Sequence, residues 1–120
     1  MYAIIKLGLF MTLTVSIPRD VEGVMRLFIE AGVVKSEEEF IRVSAVEYVR
    51  SVIRRYQELC SSLEGRYGGF HRLEKELRRR GFGDTLEEHR KYDDYRLWKE
   101  LRDAVKEYER ICAQLEGSKV

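Results

Sequence analysis

Residues 12–53 constrain this chain more than any other stretch. TLTVSIP alternates polar and apolar residues and reads as a β-strand. RDVEGVMRLFIEAG follows with apolar residues at helical spacing, and a short GVVKS link leads into a second helical run, EEEFIRVSAVEYVRSVI. A strand followed by two helices in so few residues has unpaired ladder donors and acceptors. A second copy is the simplest remedy. Two strands then pair antiparallel between protomers, and four helices close a core over one face. Leu13, Val15 and Ile17 supply the strand's share of that dimer core, and Ile41, Tyr48 and Val52 supply the second helix's share. Thr12, Thr14 and Ser16 alternate onto the opposite, solvated face. The expected fold is therefore mainly α with one β-strand: a homodimer through an intermolecular ribbon, followed by a helical C-terminal extension.

The expected division is 1–11 as an N-terminal extension or misassigned start, 12–64 as the dimerisation unit, and 65–120 as a helical tail. MYAIIKLGLF is apolar but short and is interrupted by Lys6. It has neither a basic leader nor a small-residue cleavage site, so it reads as neither signal peptide nor membrane span. It is either a start placed too early, with Met11 the natural one, or an extension of the strand.

Further along, Val21, Val24, Met25, Phe28 and Ala31 form the stripe of the first helix, and Gly32 is its stop. Ser36 and Glu39 make a capping box for the second helix. Its stripe of Ile41, Ala45, Tyr48, Val49, Val52 and Tyr56 continues through Leu59 and Leu63, which predicts a helix longer than the core unit needs. Gly65, Gly68 and Gly69 mark a break. Phe70, Leu73 and Leu77 predict a short helix ending in Arg78–Arg80 and Gly81. Thr85 and Glu88 make a second capping box. Leu97, Leu101, Ala104, Tyr108, Ile111 and Leu115 then run along a long last helix, beside an aromatic patch of Tyr92, Tyr95 and Trp98.

The net charge of +1 supplies no global attraction to nucleic acid or membrane. The charge is unevenly distributed: residues 51–80 hold 8 Lys/Arg against 4 Asp/Glu, whereas 1–50 hold 6 against 7. With no Asn, only 2 Gln and 36% charged residues, the composition is that expected of a thermophile. Cys60 and Cys112 lack CxxC spacing and read as free thiols in a reducing, cytoplasmic setting. Catalysis finds no foothold. His71 and His89 are isolated, no glycine-rich phosphate loop follows a strand, and adjacent Asp93 and Asp94 diverge on a helix. No cofactor and no metal are expected.

TLTVSIP, Gly32 and KSEEEFIRVSAVEYV together resemble the ribbon–helix–helix family of dimeric DNA-binding proteins, which includes Arc and MetJ. Ser36, Glu38, Glu39, Phe40, Ile41 and Arg42 fall where that family's second helix opens. The resemblance implies that Thr12, Thr14 and Ser16 meet operator DNA in the major groove, and that Lys35 and Ser36 hold a phosphate at the helix start. Two departures count against it. The ribbon carries short hydroxyls where the family usually carries Arg, Lys, Asn or Gln, and Glu37 and Glu38 repel a phosphate at that position.

Residues 66–116 look like the tails of antitoxins that pair with PIN-domain ribonuclease toxins. The resemblance rests on Arg66-Tyr67-Gly68 and on Asp94, Tyr95 and Trp98 in a charged helix. It implies that Tyr92, Tyr95, Arg96, Trp98, Lys99 and Leu101 contact a PIN-domain toxin. The resulting expectation is a non-enzymatic antitoxin that represses its own operon and neutralises its toxin. The rival readings are a regulator without a toxin, and a dimeric interaction protein that has lost DNA binding.

Overall fold

The computed structural model of the chain describes residues 1–6, 12–81, 83 and 85–117. Its elements, in order, are β1 (Tyr2–Lys6), β2 (Thr12–Ser16), α1 (Arg19–Glu30), α2 (Glu37–Tyr67), α3 (Phe70–Arg80) and α4 (Leu86–Gly117). They fall into two compact units, Met1–Arg50 with Arg110–Val120, and Ser51–Glu109.

The first unit corrects the expectation of a ribbon formed only between protomers. β2 finds its partner inside the chain, because β1 pairs with it antiparallel in the register Tyr2↔Ser16, Ala3↔Val15, Ile4↔Thr14, Ile5↔Leu13 and Lys6↔Thr12. The physical reason lies in the leading apolar run. Ala3 and Ile5 alternate onto one face and are buried, while Tyr2, Ile4 and Lys6 are exposed on the other. The opening residues 2–6 are thus a strand, and residues 7–11 lie outside the described residues. Ala3, Ile17 and Met25 form the unit's buried cluster, with Val15, Ile29, Phe40 and Ile41 partly buried against it.

The expected dimer-core residues separate accordingly. Ile17 is buried and Val15 and Ile41 are half-buried in the chain's own cluster. Leu13 remains 46% exposed and Tyr48 is exposed, while Val52 belongs to the second unit.

Both capping boxes form. Ser36 Oγ accepts the Glu39 amide at 3.1 Å, and the Glu39 carboxylate accepts the Lys35 amide at 3.1 Å. Thr85 Oγ1 accepts the Glu88 amide at 3.2 Å, with Glu88 reaching back to the Thr85 amide. Gly65 continues α2, and the helix stops at Gly68, whose φ of 88° suits glycine alone; a Cβ there would also meet Arg72 Nη1 at 2.9 Å.

Arg42 is the buried charge of the first unit. Its guanidinium donates to the Lys6 carbonyl at 2.6 Å, to the Leu115 carbonyl at 2.7 Å and to Glu38 Oε1 at 2.9 Å. One side chain on α2 therefore ties the end of β1 to the last turn of α4. That last turn contains no basic residue of its own, so Arg42 supplies the cation that the negative end of the helix dipole favours. Nearby, Cys112 approaches the Val46 carbonyl, and Arg50 pairs with Glu116.

The second unit closes around Leu63, Leu73, Trp98 and Leu101, with Tyr56, Cys60, Tyr67, Phe70, Leu77 and Tyr95 partly buried against them. Phe70 lies at the centre of the aromatic packing. It stacks on Tyr95, meets Trp98 edge-on, both at 5.4 Å between centroids, and carries the Arg102 guanidinium over its ring at 4.1 Å.

Replacing Arg42 with Met should remove charge-assisted bonds to two carbonyls and cost about 3 kcal/mol, read as a lower urea midpoint. Arg50→Ala, which breaks only exposed pairs, should cost about 0.5 kcal/mol or less. The Arg42 guanidinium and the Lys6 amide hold the Glu38 carboxyl below its ordinary 4.5. The folded value thus lies below the unfolded one, so this stabilisation is complete above about pH 4.5 and fades as pH falls through the folded value. Glu38→Gln should flatten that part of an acid-unfolding curve measured by circular dichroism.

Candidate functional site

The outer face of the hairpin is built by alternation. Thr12, Thr14 and Ser16 are all exposed there, opposite Lys6, Ile4 and Tyr2 respectively. Sequence reasoning places the three hydroxyls on this face. It misses Tyr2, Ile4 and Lys6, because the run YAIIK is apolar on both sides and shows no clean period of two. The face offers hydroxyls, one ammonium and one aliphatic patch. These can accept and donate to base edges and touch a thymine methyl, but they cannot make bidentate contacts.

Lys35 and Ser36 are exposed at the start of α2. Their hydrogen-bonding is already engaged within the chain, since Ser36 Oγ holds the Glu39 amide and the Lys35 amide is held by Glu39. Glu37, Glu38 and Glu39 all lie in the first turn. The Ser36 hydroxyl and the Glu39 carboxylate thus occupy two of the amides at this helix start, and the three first-turn carboxylates disfavour a phosphate there.

A second surface of the first unit lies along α1, where Met25 of the expected apolar stripe is buried and the rest of it is exposed. Val21, Val24, Leu27 and Phe28 are exposed, Leu27 to 63%. Phe28 joins this row to the core through its tilted contact with Phe40 at 5.6 Å.

In the second unit the expected partner-binding residues part company. Trp98 is only 3% exposed and Leu101 is buried with it, so both are spent on the chain's own core. Tyr92 and Tyr95 are half-buried and line a cleft with Glu74, Leu77, Arg78 and Glu88. The Tyr95 hydroxyl donates to Glu74 at 2.7 Å, which raises the phenol's pKa and lowers the carboxyl's. Arg96 and Lys99 are exposed on α4. Tyr67 donates to Asp94, which also pairs with Arg66 at 2.9 Å. Burial, followed by the Asp94 contact, pushes the Tyr67 phenol up.

Cys60 and Cys112 are free thiols; Cys112 is buried, and desolvation pushes the Cys60 thiol above its ordinary value, which weakens it as a nucleophile. Among the described residues no three His, Cys, Asp or Glu side chains are grouped to hold a metal, and no helix is long and apolar enough to cross a membrane.

Trp98→Ala should behave as a core truncation, lowering the unfolding free energy by about 3–5 kcal/mol in urea titration. Lys99→Ala on the same helix is expected to leave the midpoint within about 0.5 kcal/mol of wild type.

Compared with known proteins, the chain matches no family model, no curated protein and no solved structure.

Proposed function

We propose that this chain is a homodimeric DNA-binding regulator whose ribbon is its own β1–β2 hairpin instead of one strand from each protomer, organised as an antitoxin. A second copy covers α1, the hairpin's outer face meets operator DNA, and the helical remainder holds a protein partner. The observation that carries the reading is the open row of Val21, Val24, Leu27 and Phe28 on α1. A helix face this apolar is stable in water only when something covers it. A second copy suits it because the charges flanking the row are of both signs. Asp20, Glu22 and Glu30 stand with Arg19 and Arg26, so a two-fold axis can bring unlike charges together. Leu13, exposed on the core side of the hairpin, adds to the area a mate would bury.

For DNA, the support is the exposed hydroxyl row of Thr12, Thr14 and Ser16, with Lys6 beside Thr12. For a protein partner such as a PIN-domain toxin, the usable side chains are Tyr92, Tyr95, Arg96 and Lys99. Trp98 and Leu101 act from within, by fixing the helix that presents them. A second reading, a dimeric interaction protein without DNA binding, is favoured by the closed carboxylate cap at Lys35 and Ser36.

Val24→Lys tests the dimer without disturbing the single chain, because Val24 is already exposed there. Sedimentation should show wild type as a dimer and the variant as a folded monomer; a monomeric wild type would sink the proposal. Replacing Thr12, Thr14 and Ser16 together by Ala should then abolish preference for operator over scrambled duplex while sparing the dimer. If wild type shows no such preference, the second reading stands.

A further inference from the structure

The acids and bases of α3 are sorted by the packing. Phe70, Leu73 and Leu77 face the second unit's core. Glu74 and Glu76, the helix's two carboxylates, are drawn toward α4, where they accept from Tyr95 at 2.7 Å and Lys91 at 3.0 Å. On the solvent side His71, Arg72, Lys75, Arg78 and Arg79 are all exposed, five cationic or potentially cationic groups against the single carboxylate of Glu76, which stays 36% exposed between Arg72 and Arg79.

Within that face Arg72, Lys75 and Arg79 recur at i, i+3 and i+7 and lie along one line of the helix. Among the described residues none of the three enters a salt bridge or a side-chain hydrogen bond. Arg72 only lies near enough to Glu76 to help lower its pKa. Arg78 and Arg80 make long pairs, at 3.9 and 3.8 Å, with the inward-drawn carboxylates.

We infer that α3 is a second nucleic-acid contact, in which Arg72, Lys75 and Arg79 bind successive phosphates of a strand irrespective of base sequence. Seven residues of helix advance about 10.5 Å, which is about three 3.4 Å steps along one strand of a duplex and so spans about four phosphates. The face carries no apolar anchor of the kind that dominates protein interfaces. The apolar side of α3 is consumed by the core, so the helix has nothing to sink into a lipid surface. An evenly spaced polyanion is the occupant that such a row fits. The contact does not depend on the hairpin: it sets affinity, whereas the hairpin's hydroxyls would set preference.

The test uses the full-length protein and a short fluorescent duplex of scrambled sequence, titrated between about 50 and about 200 mM salt. Arg72→Gln, Lys75→Gln and Arg79→Gln combined should weaken binding about tenfold or more at the low end. The log–log salt slope should become shallower by roughly 0.9 for each phosphate that is no longer neutralised. Lys75→Gln with Arg79→Gln alone, which leaves Arg72 against Gly68, should give about two-thirds of that change in slope. An equal-charge control, Arg54→Gln, Arg55→Gln and Lys106→Gln, at exposed cations away from α3, should change it little. The inference fails if the control weakens binding as much as the α3 variant does, since net charge alone would then be responsible. It also fails if wild type does not bind the duplex, or if phosphatidylserine vesicles or polyglutamate bind through α3 while the duplex does not. With Thr12, Thr14 and Ser16 also replaced by Ala, the α3 variant should still lose the same amount of salt slope on the scrambled duplex, which separates failure of this contact from failure of the hairpin reading.

Discussion

The first unit depends on a single guanidinium. Arg42 sits on α2, yet two of its hydrogen bonds end on main-chain carbonyls far away in sequence, Lys6 at the end of β1 and Leu115 in the last turn of α4. Main-chain acceptors near the ends of elements are the groups a fold most needs to satisfy. Here one cation satisfies two of them and is itself balanced by Glu38 one helical turn away. The arrangement is specific in a way that an apolar contact is not. Arginine's planar fork can serve three acceptors from a fixed position, whereas lysine's ammonium could not span them with the same geometry. It also explains how a strand at the start of the chain and a helix at its end come to belong to one compact unit.

Much of the local structure is legible because it is written in short-range chemistry. The two capping boxes are four-residue signals, and both form with the expected partners. Gly32 and Gly81 read as stops, and each has the positive φ that a helix exit favours. β1 is not legible. Tyr2 and Ile4 place large apolar groups on the outward face, so YAIIK lacks the polar alternation that marks a half-buried strand. Its pairing with β2 is also non-local information. A lone strand at 12–16 demands a partner, but nothing in its own residues says whether that partner lies in the same chain or in another.

The long helices show a subtler failure. Their existence is clear from the sequence, but the phase of their buried stripe is not. On α4 the buried residues are Trp98, Leu101, Cys112 and Leu115, at the three- and four-residue steps of a heptad seam, while Leu97 is exposed. On α2 the buried apolar residues are Val46, Ile53 and Leu63; the expected stripe ends correctly on Leu63 but runs through Ala45, Tyr48 and Val52 where Val46 and Ile53 are the buried ones. A helix with apolar residues on more than one face does not say which face looks inward; its partner decides. That ambiguity is why Trp98, expected as an anchor for another protein, is instead the middle of this chain's own core, and why α1 keeps an open apolar row. The residues available for recognition are those the two cores leave over, and composition alone could not name them.

The same sorting governs charge. A net charge of +1 reads as electrostatic indifference, but net charge is a sum over residues, whereas a ligand meets one face at a time. On α3 the carboxylates are shared with the neighbouring helix through hydrogen bonds to Tyr95 and Lys91, which leaves only long pairs to α3's own cations. Both carboxyls are held below their ordinary pKa, Glu74 chiefly by Tyr95 and Glu76 chiefly by Lys91. They stay ionised and engaged there across the neutral range, while the cations of α3 keep to the solvent side. Partition of charge across a helix is therefore a product of tertiary packing as much as of sequence. In α3 the two signs alternate in mixed order along the chain, and the contact with α4 separates them.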